Sequence, residues 1–293
     1  MESFLNATII NSTPIILAAC GALLTQLAGW LNIGLEGLIL VSAFFAVAVS
    51  AASSSLILGT LVAVAVSMLL AVIIFALVRY LRANLFVVGI ATNLFAAGFT
   101  VMLTDLWLKS KGTVVFSNLS KPPVLNVEFL GKIGLGFLNN LNLFELSALM
   151  LPMIVFLFLN GTASGVKLRA CGLDAESAFY AGVSVDRLRF FSFLISGLFA
   201  GLAGASLSLP LGAFVANMSG GRGWIALVSV IMGRGKPVYV MLSAIFLGAV
   251  VELSLVLQVS TQISPKLLLT LPYFISFTVL CFFPTRLTGS RRD

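Results

Sequence analysis

The sequence predicts an all-α fold, a polytopic transmembrane helix bundle of about 8 to 10 spans, some of them broken or re-entrant. Of the 293 residues, 60% are hydrophobic and only 9% are charged, whereas soluble domains carry about 25% charged residues. The apolar residues lie in long blocks, and about 20 apolar residues in a helix cross the hydrocarbon core of a bilayer. The alternating pattern of β-barrel strands is not visible. We therefore expect residues 1–293 to form a single transmembrane domain.

Four apolar blocks occupy the first part of the chain. The polar break Asn32–Gly37 separates the first block from the second, and the serine turn Ser53–Ser55 separates the second from the third. Arg79 and Arg82 end the third block. The expected spans are, in order, Pro14–Trp30, Leu38–Ala52, Leu56–Val78 and Leu85–Leu108.

Two polar segments and the remaining apolar blocks follow. Residues 109–142 are predicted to be an external loop, because Pro122 and Pro123 exclude helix and nearby glycines favour turns. Residues 160–189 form the second polar segment. The remaining apolar blocks are Leu143–Leu159, Phe190–Leu211, Trp224–Met232, Val238–Leu257 and Lys266–Phe283. The short block between the two Gly-Arg-Gly turns is typical of a discontinuous helix, which often borders a translocation route.

Basic residues orient this bundle through the positive-inside rule. The net charge is +7, and bases in cytoplasmic loops account for it without nucleic-acid binding. Loop 109–142 then lies outside, although it carries four lysines. The arrangement needs Asn217–Arg234 to cross as a short or broken helix, with the N-terminus outside, the C-terminus inside and about nine crossings. A re-entrant half-helix at Trp224 would change that count. The bases placed in the cytoplasm are Arg79, Arg82, those of segment 160–189, Arg286, Arg291 and Arg292.

The break Asn32–Gly37 puts an amide, a carboxylate and glycines between two spans. Unwound backbone at membrane depth is tolerated only beside a cavity or inside protein, and a carboxylate there is costly. Glu36 therefore indicates the lining of a solute path or a buried pair. The alternative is an interfacial loop with a solvated Glu36.

Segment 160–189 contains a predicted short helix. Asp174 can cap its start, which Glu176 also suits by charge, and Gly182 fits its end. A loop with such a helix can receive force from a cytoplasmic motor, whereas a plain surface loop is the alternative. The residues that share one small apolar face, at i, i+3, i+4 and i+7, are Ala175, Ala178, Phe179 and Gly182.

A third motif lies in the block Phe190–Leu211. Gly197 with Gly201, and Ala200 with Gly204, form two small-xxx-small faces that allow close helix contact. We expect ordinary packing inside the bundle from both faces.

At these segments the chain resembles the permeases of bacterial ABC importers for sugars, nucleosides and branched-chain amino acids, most closely the nucleoside and simple-sugar branch. The resemblance implies that 174–182 is the coupling helix held by a cytoplasmic ATPase subunit. It also implies a second, paralogous permease, an extracytoplasmic substrate-binding lipoprotein and a location in the cytoplasmic (inner) membrane. The residues that carry it are Asn32–Gly37, Gly172–Gly182, Ser196–Gly204, Gly221–Trp224, Gly233, Arg234 and Pro237.

A nucleoside is polar, neutral and flat on one side, so its path needs amides, hydroxyls and aromatic faces. Asn32, Glu36, Thr92, Asn93 and Trp224 are the candidates, with ordinary helix–helix contacts as the alternative. A ribose, simple-sugar or branched-chain amino acid permease is the nearest alternative function. A stand-alone ion-coupled secondary transporter is the alternative of another class.

The composition also argues against an enzyme. The chain has no histidine, its three cysteines are far apart, and no metal or other cofactor is expected. It lacks a Gly-x-x-x-x-Gly-Lys-Ser/Thr loop. ATP is therefore expected on a separate ATPase subunit.

Overall fold

The computed structural model describes residues 2–110, 112–116, 119, 121–125, 140–260, 265–268 and 270–282. Within these residues the fold is a helix bundle with four short strands. The first helices are α1 (Glu2–Leu27), α2 (Leu35–Ser53), α3 (Leu56–Tyr80), α4 (Leu85–Leu108), α5 (Leu143–Gly161) and α6 (Ala163–Leu173). The others are α7 (Ala175–Tyr180), α8 (Val185–Ser208), α9 (Arg222–Met232), α10 (Pro237–Ser260), α11 (Pro265–Leu268) and α12 (Leu271–Phe282).

Seven of the described helices are long and apolar enough to cross a membrane, namely α1, α2, α3, α4, α5, α8 and α10. Helix α9 has 11 residues and α12 has 12. At about 1.5 Å per residue each covers only about half of a hydrocarbon core. The prediction of a polytopic bundle with broken helices is confirmed.

Four predicted segments differ from the structure in where they begin or in how they are divided. Helix α1 begins at Glu2, with Pro14 inside it, which membrane helices tolerate because neighbouring groups satisfy the freed backbone. Helix α8 begins at Val185, so the basic residues in its first turns lie at the end of the membrane span and not in a loop. The polar segment 160–189 also contains α6, and the block Lys266–Phe283 is divided into α11 and α12.

Helix α1 is the centre of the bundle, because it packs against α5, α8, α9 and α10. Helix α8 lies between α1, α2 and α3. A Cβ on Gly201 would come within 2.6 Å of the Val64 Cα of α3, and the Ser42 hydroxyl of α2 donates to the Ala200 carbonyl at 3.2 Å. The two small-residue faces therefore pack against α3 and α2, which is the close packing inside the bundle that was predicted.

The strands lie together at one end of the bundle. Strand β1 (Thr113–Val115) pairs antiparallel with β4 (Ala213–Val215), so the loop after α4 is tied to the connection after α8. Strand β2 (Val124–Leu125) pairs with β3 (Leu141–Asn142) in the same way. The described part of loop 109–142 thus packs against the helix ends.

The opposite end of the bundle collects basic residues, and we call it the basic face. Arg79 at the end of α3 forms an ion pair with Asp186 at the start of α8, with 2.7 Å between nitrogen and oxygen. The positive-inside rule makes this end cytoplasmic. The predicted contributions of Arg286, Arg291 and Arg292 lie outside the described residues. The described bases at this end are Arg79, Arg82, Lys167, Arg169, Arg187, Arg189, Arg234 and Lys236.

Candidate functional site

The break between α1 and α2 is held by hydrogen bonds inside the protein. The Asn32 backbone N–H donates to Thr25 Oγ1 at 3.1 Å, and its amide Nδ2 donates to Ser196 Oγ of α8 at 3.1 Å. Its Oδ1 accepts from the Gly34 N–H at 3.0 Å. Asn32 is fully buried, so it joins α1, the break and α8.

Asn93 of α4 holds the same break from the other side. Its Oδ1 accepts from the Gly37 N–H at 2.8 Å, and its Nδ2 donates to the Ile33 carbonyl at 3.0 Å. The neighbouring Thr92 hydroxyl donates within its own helix to the Val88 carbonyl at 2.8 Å. Asn32, Thr92 and Asn93 therefore lie together around the break, and their contact with a solute stays a prediction.

The Glu36 side chain connects the break to the start of α9. Its Oε1 accepts from the Gly221 N–H at 2.8 Å and its Oε2 from the Gly223 N–H at 2.7 Å. These are backbone donors at a helix start that have no partner within the helix, and the positive helix end favours a carboxylate. A Cβ on Gly223 would lie only 2.7 Å from the Glu36 Cα. The alternative of a solvated loop carboxylate is therefore excluded.

Two residues that were not predicted as site residues complete this region. Arg222 lies in the first turn of α9, and its Nη1 donates to the carbonyls of Met218 and Ser219 at 3.2 and 3.3 Å. The Tyr273 hydroxyl of α12 donates to the Gly220 carbonyl at 2.8 Å. The Gly-Arg-Gly motif was visible in the sequence, but nothing in it indicated a contact with α12.

Trp224 belongs to the same short helix. It follows the residues bound by Glu36, and 38% of its surface is exposed. The exposed indole is available as a stacking face, as the sequence analysis proposed. Its contact with a solute also stays a prediction.

The second predicted site lies at the basic face. Asp174 caps α7 as expected, because its Oδ1 accepts from the backbone N–H groups of Glu176 and Ser177 at 3.0 and 3.1 Å. Gly182 follows with φ +80°, a conformation that favours glycine. Beneath the helix, Cys171 is buried, and burial raises the pKa of its thiol despite the nearby Arg189. The thiol is therefore a neutral packing group.

The face predicted for docking is only partly exposed, since Phe179 and Gly182 face outward and Ala178 does not. Ala178 is only 5% exposed and packs with Cys171 and Val185. The reason is that a small side chain lets the short helix lie close to the bundle. The outer side carries Phe179 and Tyr180, which are 66% and 79% exposed. Of the predicted set, Ala178 therefore points inward, Ala175 is half-buried, and Glu176 and Phe179 are exposed.

The two sites are connected through the end of α1. A Cβ on Gly172, just before α7, would come within 2.9 Å of the Leu27 carbonyl carbon and 3.2 Å of the Gly29 nitrogen. Arg189 Nε donates to the Ala28 carbonyl at 3.2 Å, and its guanidinium lies 4.5 Å from the centre of the Trp30 ring. Residues 28–30 lead directly into the break at Asn32. This contact could not be predicted from the sequence, since it joins residues more than 140 positions apart.

The described residues offer no group of three or more His, Cys, Asp or Glu side chains that could hold a metal ion. The chemistry of both sites is that of hydrogen bonding, packing and carboxylates that accept from backbone N–H groups.

Comparisons with known proteins agree with this architecture. A family described as "branched-chain amino acid transport system / permease component" matches residues 4–282. The guanosine ABC transporter permease protein NupQ of Bacillus subtilis is 28% identical over 94% of this chain and 90% of its own length. The nucleoside ABC transporter permease protein NupC of Lactococcus lactis is 27% identical, with coverages of 97% and 93%. The Haloferax volcanii protein TsgC13, named as a candidate glucose ABC transporter permease, is 31% identical, with coverages of 95% and 90%. No solved structure matches the chain.

Proposed function

Because the chain belongs to the branched-chain amino acid transport system / permease component family, it is the multi-pass permease subunit of an ABC importer in the cytoplasmic membrane, and we propose that its solute is a nucleoside. The observation that carries the proposal is the near full-length similarity to NupQ and NupC, whose names specify guanosine and nucleosides. The exposed indole of Trp224 supports it by offering an aromatic face, whereas the amides of Asn32 and Asn93 are held in hydrogen bonds within the protein. A nucleoside has a flat base that can stack on such a face.

A simple sugar is the second candidate, because TsgC13 is similar over a comparable length. Sugars and nucleosides are both neutral and polar, so neither needs a fixed charge at the break. Glu36 is already bound by two backbone N–H groups. A zwitterionic amino acid, which needs fixed charges of both signs, therefore fits this region less well.

Family membership implies an ATPase subunit and a substrate-binding protein as partners. We extend this to a second, paralogous permease and to a binding lipoprotein on the outside. ATP is bound and hydrolysed on the ATPase subunit, and this chain is a transport subunit without that activity. The exposed side of α7 receives the motion, and alternating access at the two permeases moves the solute.

The contacts around residues 28–30 offer a route for that motion. Force on α7 acts through Gly172 and Arg189 on residues 28–30, which lead into the break at Asn32. The break then carries Glu36 and with it the start of α9. Since α9 covers only half of the membrane, a small displacement of its start changes access from one side.

The test of the solute uses the assembled transporter in proteoliposomes with its binding protein. We expect guanosine and other nucleosides on the binding protein to stimulate ATP hydrolysis and uptake, while ribose, glucose and leucine do not. Stimulation by glucose or ribose alone would transfer the assignment to the sugar alternative. Uptake that requires an ion gradient and proceeds without ATP would support the secondary transporter instead.

The route through residues 28–30 predicts a coupling defect in Arg189→Gln. The change removes a cation–π contact with Trp30 and a charged hydrogen bond to Ala28, together worth about 2 kcal/mol. We expect roughly thirtyfold fewer solutes moved per ATP hydrolysed. Arg187→Gln is the matched control, because Arg187 is an exposed base two residues earlier on the same helix. Equal solute-to-ATP ratios in both variants would contradict the route.

A further inference from the structure

A cavity of about 410 Å³ opens at the basic face, away from the region of the break and from α7. It lies between the end of α5 and the start of α10, with α6 along one side. Phe156 and Asn160 come from α5, Arg169 from α6, and Lys236 and Tyr239 from the start of α10. Nothing in the proposed transport route uses this cavity.

The polar end of the cavity is built for an anion. The Arg169 guanidinium is held in place, because its Nη2 donates to the Leu159 carbonyl at 2.8 Å and its Nη1 to Asn160 Oδ1 at 3.3 Å. Lys236 Nζ lies 5.3 Å from the centre of the Tyr239 ring. No acidic side chain is present among the described lining residues. The N-terminal end of α10 adds further partial positive charge.

The cavity continues into two exposed apolar stripes. On α5 the stripe leads back from Asn160 through Leu157, Met153 and Met150 at helical spacing. On α10 it leads forward from Val238 through Leu242 and Phe246. Both stripes run from the basic face toward the middle of the span. Apolar side chains exposed at this depth meet acyl chains in a bilayer.

We propose that this cavity is a binding site for an anionic phospholipid of the cytoplasmic leaflet. The phosphate lies between Arg169 and Lys236, and the acyl chains lie along the stripes of α5 and α10. Basic cavities between membrane helices on the cytoplasmic side suit anionic head groups. A soluble phosphate would use the two cations but leave the apolar stripes without a role. A lipid uses both.

The test measures lipid retention by the assembled, delipidated transporter in native mass spectrometry, with phosphatidylglycerol and phosphatidylcholine of identical acyl chains. The wild-type transporter is expected to retain phosphatidylglycerol in preference to phosphatidylcholine. Each cation near an anionic lipid contributes about 1 kcal/mol, so Lys236→Gln should weaken retention about fivefold and the double variant with Arg169→Gln about 25-fold. Lys236→Gln alone leaves the hydrogen bonds of Arg169 intact. Weaker lipid retention in this variant therefore cannot be explained by a displaced α6.

The control is Arg82→Gln with Lys167→Gln, two exposed bases of the same face that do not line the cavity. It should retain phosphatidylglycerol as the wild type does. Equal retention of the two lipids by the wild type, or unchanged retention in the double variant, would overturn the proposal. So would displacement of the lipid by equimolar glycerol phosphate, which would identify a site for soluble phosphate. Binding only after removal of the ATPase subunit would also count against it, because a protein would then fill the cavity.

Discussion

Glu36→Gln is expected to release the start of α9 and to lower nucleoside uptake about a hundredfold. The carboxylate accepts from two backbone N–H groups, at 2.8 Å from Gly221 and 2.7 Å from Gly223. Hydrogen bonds to charged groups contribute about 1.5–3 kcal/mol each. Glutamine has one acceptor oxygen and no charge, so a loss of about 3 kcal/mol is expected. Uptake by proteoliposomes and amide hydrogen exchange at residues 221–226 measure the two consequences.

Glu252→Gln is the matched control for this change. Glu252 is another carboxylate within a long span that the structure ties to a distant helix, and it accepts from Asn11 Nδ2 at 2.7 Å. Glutamine can still accept that bond, so uptake should remain near the wild-type rate. If Glu36→Gln leaves amide exchange at residues 221–226 unchanged, the carboxylate does not hold α9. If exchange rises while uptake stays normal, the start of α9 does not control access.

The sequence indicated Glu36 as a buried pair or path residue, but its partner could not be predicted. The break is a local pattern, whereas the N–H groups of Gly221 and Gly223 lie 185 and 187 residues away along the chain. Neither group belongs to a side chain, so no charge or size pattern marks it. For the same reason the contact between Arg189 and Ala28, also made to a backbone atom, was not predicted.

Local signals were predicted more successfully. Helix α4 runs from Leu85 to Leu108 as expected, because the Asn84 side chain accepts from the Phe86 and Val87 N–H groups and Lys109 adopts a left-handed conformation. Asp174 caps α7 by the same local mechanism. Helix α1 was predicted too short at its start, since polar residues such as Glu2, Asn6 and Asn11 precede the apolar block that begins at Pro14. Inside a bundle, neighbouring helices make Pro14 tolerable within the span.

The docking face of α7 could be predicted from the sequence only in part. Helical spacing grouped Ala178 with Phe179, but which side of a six-residue helix faces outward depends on what packs beneath it. Ala178 packs against Cys171 and Val185. The outer side therefore presents Glu176, Phe179 and Tyr180 at the cytoplasmic end of the bundle.

Phe179→Asp is accordingly expected to abolish solute transport while insertion and basal ATP hydrolysis continue. Burying an exposed phenylalanine in a partner's groove contributes about 1.5–3 kcal/mol. An aspartate there loses this apolar contribution and also buries an unpaired charge. The affinity for the ATPase subunit therefore falls by more than about a hundredfold. Co-purification of the ATPase subunit measures docking, and the ratio of uptake to hydrolysis measures coupling. Glu176→Arg should reduce the same ratio by reversing a charge on the same face.

Leu81→Asp is the control for Phe179→Asp. Leu81 is 71% exposed at the same face, but it follows α3 and lies outside the segment from α6 to α8. An effect of Phe179→Asp without an effect of Leu81→Asp locates the contact on α7, because both changes add one acid to the cytoplasmic surface. Gly182→Trp is a less selective probe, since the φ of +80° at Gly182 would strain any other residue. Normal coupling in both Phe179→Asp and Glu176→Arg would mean that the motor acts elsewhere, and the route from α7 to Glu36 would lose its starting point.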